Sequence, residues 1–350
     1  MKKFLCLLMA VIIAGSCAVC AFAYDDPDWI AKLAGELVDA KGPEVGGIAI
    51  DYVSYTPRNL KSGTKYPLVI LLHGMGQGGK PREQIEDNYF PAFAGEEMQS
   101  KFTNGAAYLF IPRSDESKDA MGTWTDDEVK PLYEAIQDFI AKNSKNIDLK
   151  RIYIGGYSMG GKMTIKMLST YPEMFAAAFP MCPAYIPSDD QLKAIADTPL
   201  WFSCSKFDIL AGYYVYGKEI WEKVCAFTHR PKDCRMSVIG KVCLPDGKKA
   251  SSNHHVWFAA SNDMFTYEKG DYPNMTTTDA TGKTIKLTYP DGLVSWLCRY
   301  KSSYGGAKSE GTDLVAQNSS TVFNMLFKMI GSLRYMLRDT LKTAFGALFR

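Results

Sequence analysis

Residues 155–161 read Gly-Gly-Tyr-Ser-Met-Gly-Gly and follow a β-type run, Arg-Ile-Tyr-Ile, at 151–154. They hold a G-x-S-x-G pattern from Gly156 to Gly160, centred on Ser158. A serine at the tip of a sharp strand-to-helix turn needs neighbours without bulk, because the flanks of such a turn approach closely. Residues 162–171 have the composition of the helix behind it. Ser158 is then expected at a helix N-terminus, where free N–H groups and the helix dipole favour developing negative charge. A plain serine–glycine turn is the structural alternative.

Outward from this turn, strand-like and helix-like runs alternate. Residues 67–72 (Pro-Leu-Val-Ile-Leu-Leu) suit a strand buried on both faces, and 107–111 is a second. Residues 46–55 alternate like an edge strand or hairpin arm. Thr125 and Glu128 can form a capping box. The helix it opens has the apolar stripe Val129, Leu132, Ile136, Phe139 and Ile140. Residues 175–181, 200–203 and 235–239 complete the strand candidates. Helical patterns between strands imply an α/β fold, with a mainly parallel central sheet covered on both faces.

The chain has 350 residues, 47% of them hydrophobic, enough for one large domain with appendages. No period of 20–50 residues repeats, so a solenoid is not expected. Residues 1–23 read as an export signal. Lys2 and Lys3 precede an apolar core at 4–13, and Ala21-Phe22-Ala23 is a small-x-small cleavage pattern. Cys17 after Gly15-Ser16 keeps a lipid-anchored form as the lesser alternative. Removal of Lys2 and Lys3 leaves 38 basic against 38 acidic residues. That balance gives no support for nucleic-acid binding. Of nine cysteines, six lie beyond the signal. A bridge is expected among Cys225, Cys234 and Cys243, while for Cys182 and Cys204 a buried free thiol and a bridge stand as equal alternatives. There is no C-x-x-C and no H-E-x-x-H, so no metal site is expected.

The catalytic domain is placed at 24–302. Within it 261–291 reads as an insertion or hairpin excursion, with one strand-like piece at 284–288. Residues 303–320 are Gly/Ser-rich and suit a linker. The stripe Val322, Leu326, Ile330, Leu333, Leu337, Leu341, Ala344 and Leu348 then predicts a basic amphipathic helix over 321–350. Such a helix can lie on an anionic membrane surface, pack on its own domain or join two copies.

A serine hydroxyl barely ionises at neutral pH and needs a base, usually histidine held in one tautomer by an acid. Of four histidines, His229 lies in a polar stretch and His73 in a glycine-rich loop after a buried strand. His254 and His255 remain as base candidates. In one known chain order the acid falls between serine and histidine. Asp208, a short loop beyond the strand at 200–203, fits; Asp189, Asp190 and Asp197 read as loop or helix-start residues. Two donors are needed for the oxyanion. The Met159 N–H, after the serine, is one. The second is expected from His73-Gly74-Met75-Gly76, with Met75 first and Gly74 second. His73 is read as bracing this loop.

These segments resemble the secreted esterase and predicted-peptidase group of α/β-hydrolases. The features are Leu-Leu-His-Gly-Met-Gly-Gln, Gly-Tyr-Ser-Met-Gly-Gly, Pro-Glu-Met-Phe-Ala-Ala-Ala, Phe-Asp and His-x-x-Trp. The group is similar to prolyl-oligopeptidase catalytic domains, dienelactone hydrolase and feruloyl-esterase or polyhydroxybutyrate-depolymerase-like enzymes. The resemblance covers roughly residues 45–302. It implies Ser158 as nucleophile, Asp208 as acid and His254 as base, since Trp257 stands three residues after His254. It implies no cofactor. The acid loop departs from the pattern, with Ser203-Cys204-Ser205 where relatives carry His-Gly.

Aromatic residues crowd the expected mouth: Tyr213 and Tyr214 after the acid, Trp257 after the base. Aromatic rings stack on sugars and aromatic acyl groups, and they also fill ordinary cores. The first reading is hydrolysis of carboxylic esters, small or linked to polysaccharide. The second is a serine peptidase of the same fold. The third is a binding protein that keeps the fold without turnover.

Overall fold

The computed structural model describes residues 28–79, 85, 88–119, 121–244, 247–265, 272, 274–312 and 333. The expected export signal over 1–23 lies outside the described residues, as do 313–320 of the expected linker and, but for residue 333, the expected helix over 321–350.

The strands are β1 (Val38–Val45), β2 (Ile48–Tyr55), β3 (Tyr66–Leu72), β4 (Tyr108–Arg113), β5 (Ile147–Tyr157), β6 (Ala177–Met181), β7 (Trp201–Ser205), β8 (Arg235–Ile239), β9 (Met275–Asp279) and β10 (Thr284–Ile285). They form one sheet in the order β1-β2-β4-β3-β5-β6-β7-β8-β9-β10. The six strands from β4 to β8 in that order run parallel. The pairs at either margin are antiparallel. All seven residues of β3 are buried, as a continuous apolar run flanked on both faces requires. From β3 the chain turns to β4 on one side, then crosses to β5 on the other. The carboxyl ends of β3 and β5 therefore border a topological switch point, where open α/β sheets bind ligands.

The helices are α1 (Asp28–Ala34), α2 (Glu96–Ser100), α3 (Val129–Lys142), α4 (Met159–Thr170), α5 (Asp189–Ala194), α6 (Lys218–Phe227), α7 (Trp257–Ser261) and α8 (Leu293–Leu297). The Thr125–Glu128 capping box forms ahead of α3. Successive side chains on β7 show that both faces are covered. Trp201 meets Trp296 of α8 edge-on, and Phe202 meets Trp221 of α6.

Three expectations change. The segment 261–291 does make a hairpin, but β9 pairs along β8 and extends the central sheet; the strand is Met275–Asp279, and β10 covers only Thr284–Ile285. Residues 303–312 are not a free linker. Tyr304 Oη donates to Gln137 of α3 at 2.8 Å, Lys308 pairs with Glu134 at 2.6 Å, and Ser309 N–H donates to Tyr133 Oη at 2.8 Å. Thr312 N–H and Oγ1 then donate to the carbonyls of Thr170 and Ser169, closing the end of α4. These hydroxyls find acceptors that a Gly/Ser-rich composition does not advertise. The six cysteines among the described residues are all free thiols. Cys234 is buried against Thr228 Oγ1, whereas Cys225 is exposed on α6.

Candidate active site

Ser158 joins β5 to α4 with φ 55° and ψ −114°, a conformation costly for a residue with a side chain. The glycines around it serve close approach. A Cβ on Gly160 would stand 2.2 Å from Leu72 O and 2.4 Å from His73 O. One on Gly156 would meet Leu72 Cβ and O at 2.6 Å. The turn is thus pressed on the end of β3, and any added methyl would push Ser158 out of place. Ser158 and Met159 are the partly exposed residues of an otherwise buried turn. Met159 opens α4, so its N–H has no intrahelical acceptor.

The loop after β3 is held by its glycines and by His73. Gly76, at φ 85°, donates to Met121 O at 2.9 Å; Gly78 donates to Gly122 O and Gly79 to Ser114 O. Met75, between Gly74 and Gly76, is partly exposed. His73 is buried and stacks on Trp124, whose Nε1–H donates to His73 O at 3.0 Å. The backbone N–H of Ser114 donates to His73 Nε2 at 3.0 Å. Nε2 must therefore be the bare nitrogen, and Nδ1–H donates to Gly74 O at 2.6 Å. Burial lowers this imidazole's pKa to about 4, so it stays neutral. His73 braces the loop through both ring nitrogens, leaving neither for proton transfer.

Asp208 and His254 meet in the interior. His254 Nδ1 lies 2.7 Å from Asp208 Oδ2, with both residues buried. Asp208 Oδ1 accepts the N–H groups of Leu210 and Ala211. Gly212 is what lets the loop fold so tightly: a Cβ there would stand 2.2 Å from Asp208 O. Donation from Nδ1–H leaves the His254 Nε2 lone pair as a proton acceptor. His255 packs its ring on Trp257 and Phe258, and burial lowers its pKa to about 4.

Cys182, just past β6, links these parts. Its φ is 35°, and its N–H donates to Ser203 O of β7 at 2.7 Å. Its thiol lies 3.6 Å from His254 O, while the Ser158 N–H donates to the carbonyl of Met181, the residue before Cys182, at 2.9 Å. Burial pushes the thiol pKa well up. The end of β6 thus meets the serine turn through Met181 O and the histidine loop through the Cys182 thiol.

Trp257 lies flat on Tyr157, the residue before Ser158, with centroids 3.7 Å apart. It meets His254 edge-on at 5.7 Å. The Tyr157 hydroxyl donates to Gln77 Oε1 in the glycine loop, and Asn88 Nδ2 donates to that same Oε1. Tyr213 and Tyr214 follow directly on the Asp208 loop, ahead of α6. Tyr213 packs edge-on against Tyr214, and its phenol has Lys218, Glu222 and Cys225 of α6 among its charged surroundings. Tyr157, Gln77 and Cys182 were not singled out from the sequence. The aromatic residue ahead of the serine, the cysteine at a strand's carboxyl end and the glutamine closing Leu-Leu-His-Gly-Met-Gly-Gln were the available signals.

The family model described as "Putative esterase" matches residues 49–264, well over half of the chain. A bifunctional acetylxylan esterase/xylanase of Neocallimastix patriciarum is 31% identical over 136 residues. That match covers 38% of this chain and 18% of the much longer relative. The crystal structure of a thermostable esterase superposes with a TM-score of 0.55 at 23% identity, over 68% of this chain and 63% of that one. An acylaminoacyl peptidase superposes with a TM-score of 0.45 at 16% identity, over 63% of this chain and 39% of that one. The fold is that of the α/β-hydrolases, and by its matched residues the chain belongs to the esterase family.

Proposed function

We propose that this protein is a serine hydrolase of carboxylic esters working through an acyl-enzyme. The observation that carries the reading is the buried 2.7 Å contact between His254 Nδ1 and Asp208 Oδ2, which the Met181–Cys182 end of β6 joins to the strained Ser158 turn. In this reading His254 Nε2 takes the Ser158 hydroxyl proton as the oxygen attacks the ester carbonyl. Asp208 holds the imidazole in the required tautomer and stabilises the imidazolium. The N–H groups of Met159 and Met75 receive the oxyanion. The proton passes to the departing alcohol, and water, activated by the same imidazole, releases the acid.

The substrate class we favour is an acyl ester on carbohydrate. Support comes from the relative whose name includes acetylxylan esterase. An export signal over residues 1–23 would suit a polysaccharide substrate outside the cell. The test is turnover of an aryl acetate and of acetylated xylan by the full chain, beside Ser158→Ala. Both esters should be cleaved, and the variant should be inactive. Activity that survives in Ser158→Ala would sink the serine mechanism. Cleavage of a peptidyl amide in preference to both esters would replace the ester reading with a peptidase.

A further inference from the structure

Three side chains of different chemistry converge beneath the serine turn. Cys182 Sγ, a carboxylate oxygen of Asp208 and a ring nitrogen of His254 all lie within 4.8 Å of one another. Among the described residues no other group of three histidine, cysteine or acidic side chains comes so close. The set is a thiol, an imidazole and a carboxylate, the donors that zinc-like ions take. Ligands about 2.0–2.3 Å from a tetrahedral ion stand roughly 3.3–3.7 Å apart, so His254 Nδ1 and Asp208 Oδ2, now 2.7 Å apart, part slightly and the Cys182 sulfur keeps within reach to make the site. The ligands come from the ends of β6 and β7 and from the loop before α7. That is why no short spacing motif announces them.

We infer that Cys182, Asp208 and His254 form an inhibitory site for a thiophilic divalent cation such as Zn²⁺. Binding gives up the Cys182 thiol proton to solvent. The imidazole proton moves from Nδ1 to Nε2 as Nδ1 takes the metal, and the Asp208 carboxylate completes the set. One proton is released per ion. Nε2–H can no longer accept a proton, so the base is lost while Ser158 is untouched. That last step rests on His254 as the base; the binding itself does not. Cys182 is fully buried, so the ion enters only as the histidine loop yields, and inhibition develops slowly.

The test uses the full chain freed of metal by a chelator and titrated with Co²⁺ and, separately, Zn²⁺. Co²⁺ should produce the near-ultraviolet thiolate-to-cobalt absorption, absent in Cys182→Ser and in His254→Ala. Exposed Cys225→Ser should keep it. Zn²⁺ should inhibit ester turnover reversibly, with EDTA restoring the rate. Potency should rise about tenfold per pH unit, as release of one proton requires. The Cys182→Ser change should weaken inhibition roughly 10–100-fold or more. Absence of the absorption in the wild-type chain, or its persistence in His254→Ala, would overturn the site even if Cys182→Ser failed to fold. Because the absorption does not need turnover, a metal-binding chain that cleaves no ester would condemn the proposed function and leave the site standing.

Discussion

The Trp257 indole lies flat on the Tyr157 ring, 3.7 Å between centroids and 24° from parallel. This stack joins the residue before the serine to the helix that follows the histidine. It therefore ties the serine turn to the segment that follows His254. Substituting Trp257 by alanine should cost about 3–5 kcal/mol of stability, as for other buried large aromatics. A double-mutant cycle with Tyr157→Ala should return a coupling of about 0.5–1.5 kcal/mol. Denaturant unfolding of the four proteins is the measurement; zero coupling would mean that the stack ties nothing together.

Asp208→Asn should keep the fold, since the amide oxygen can still accept from Leu210 and Ala211. The other end would favour the wrong His254 tautomer, and kcat should fall about 10⁴-fold with KM little changed. His254→Ala should fall comparably. His255→Ala should reduce activity and not abolish it, because His254 is the imidazole that meets Asp208. Steady-state kinetics on an aryl ester decide this, and near-wild-type rates in His254→Ala would reverse the assignment.

Gly160→Ala tests the serine turn. Its methyl would stand against two backbone carbonyls at the end of β3, which no rotamer change can relieve. We expect loss of activity together with a large fall in Tm or failure to express. A soluble, fully active Gly160→Ala would show that β3 and the turn are not in tight contact.

Burial lowers the imidazole pKa of both His73 and His255 from 6.5 to about 4. The unfolded chain therefore binds two protons over this window that the folded chain refuses. Stability should be full above pH 6.5 and fall as the pH drops towards 4, by up to about 1.4 kcal/mol per pH unit for each ring. Urea midpoints near pH 7.5 and near pH 5 should differ accordingly, and His255→Phe should flatten the dependence. A midpoint unchanged across that range would argue against two neutral buried rings.

The parallel strands were legible because burial on both faces writes them as unbroken apolar runs, as at 67–72. The Thr125–Glu128 box was legible because capping is local. β1 was not: Val38–Val45 is a mostly exposed margin strand whose Lys, Gly, Pro and Glu carry no alternation. β9 was hidden by its threonines, which suit a sheet margin and a polar loop equally well. At the site, the serine and the glycine loop announce themselves because a sharp turn restricts residue type. Cys182 and Gln77 gain their positions only when distant segments fold together, so no spacing could reveal them.

The return of residues 303–312 to the far end of α4 fixes where the chain departs. Thr312 sits at the helix's last carbonyls, about 18 Å along the twelve-residue axis from Ser158. A handle or reporter attached at this point, for example through Thr312→Cys, would therefore sit at the end of α4 away from the serine. Coupled to a bead or surface through it, the protein would turn its serine outward, free for bulky polymers to reach.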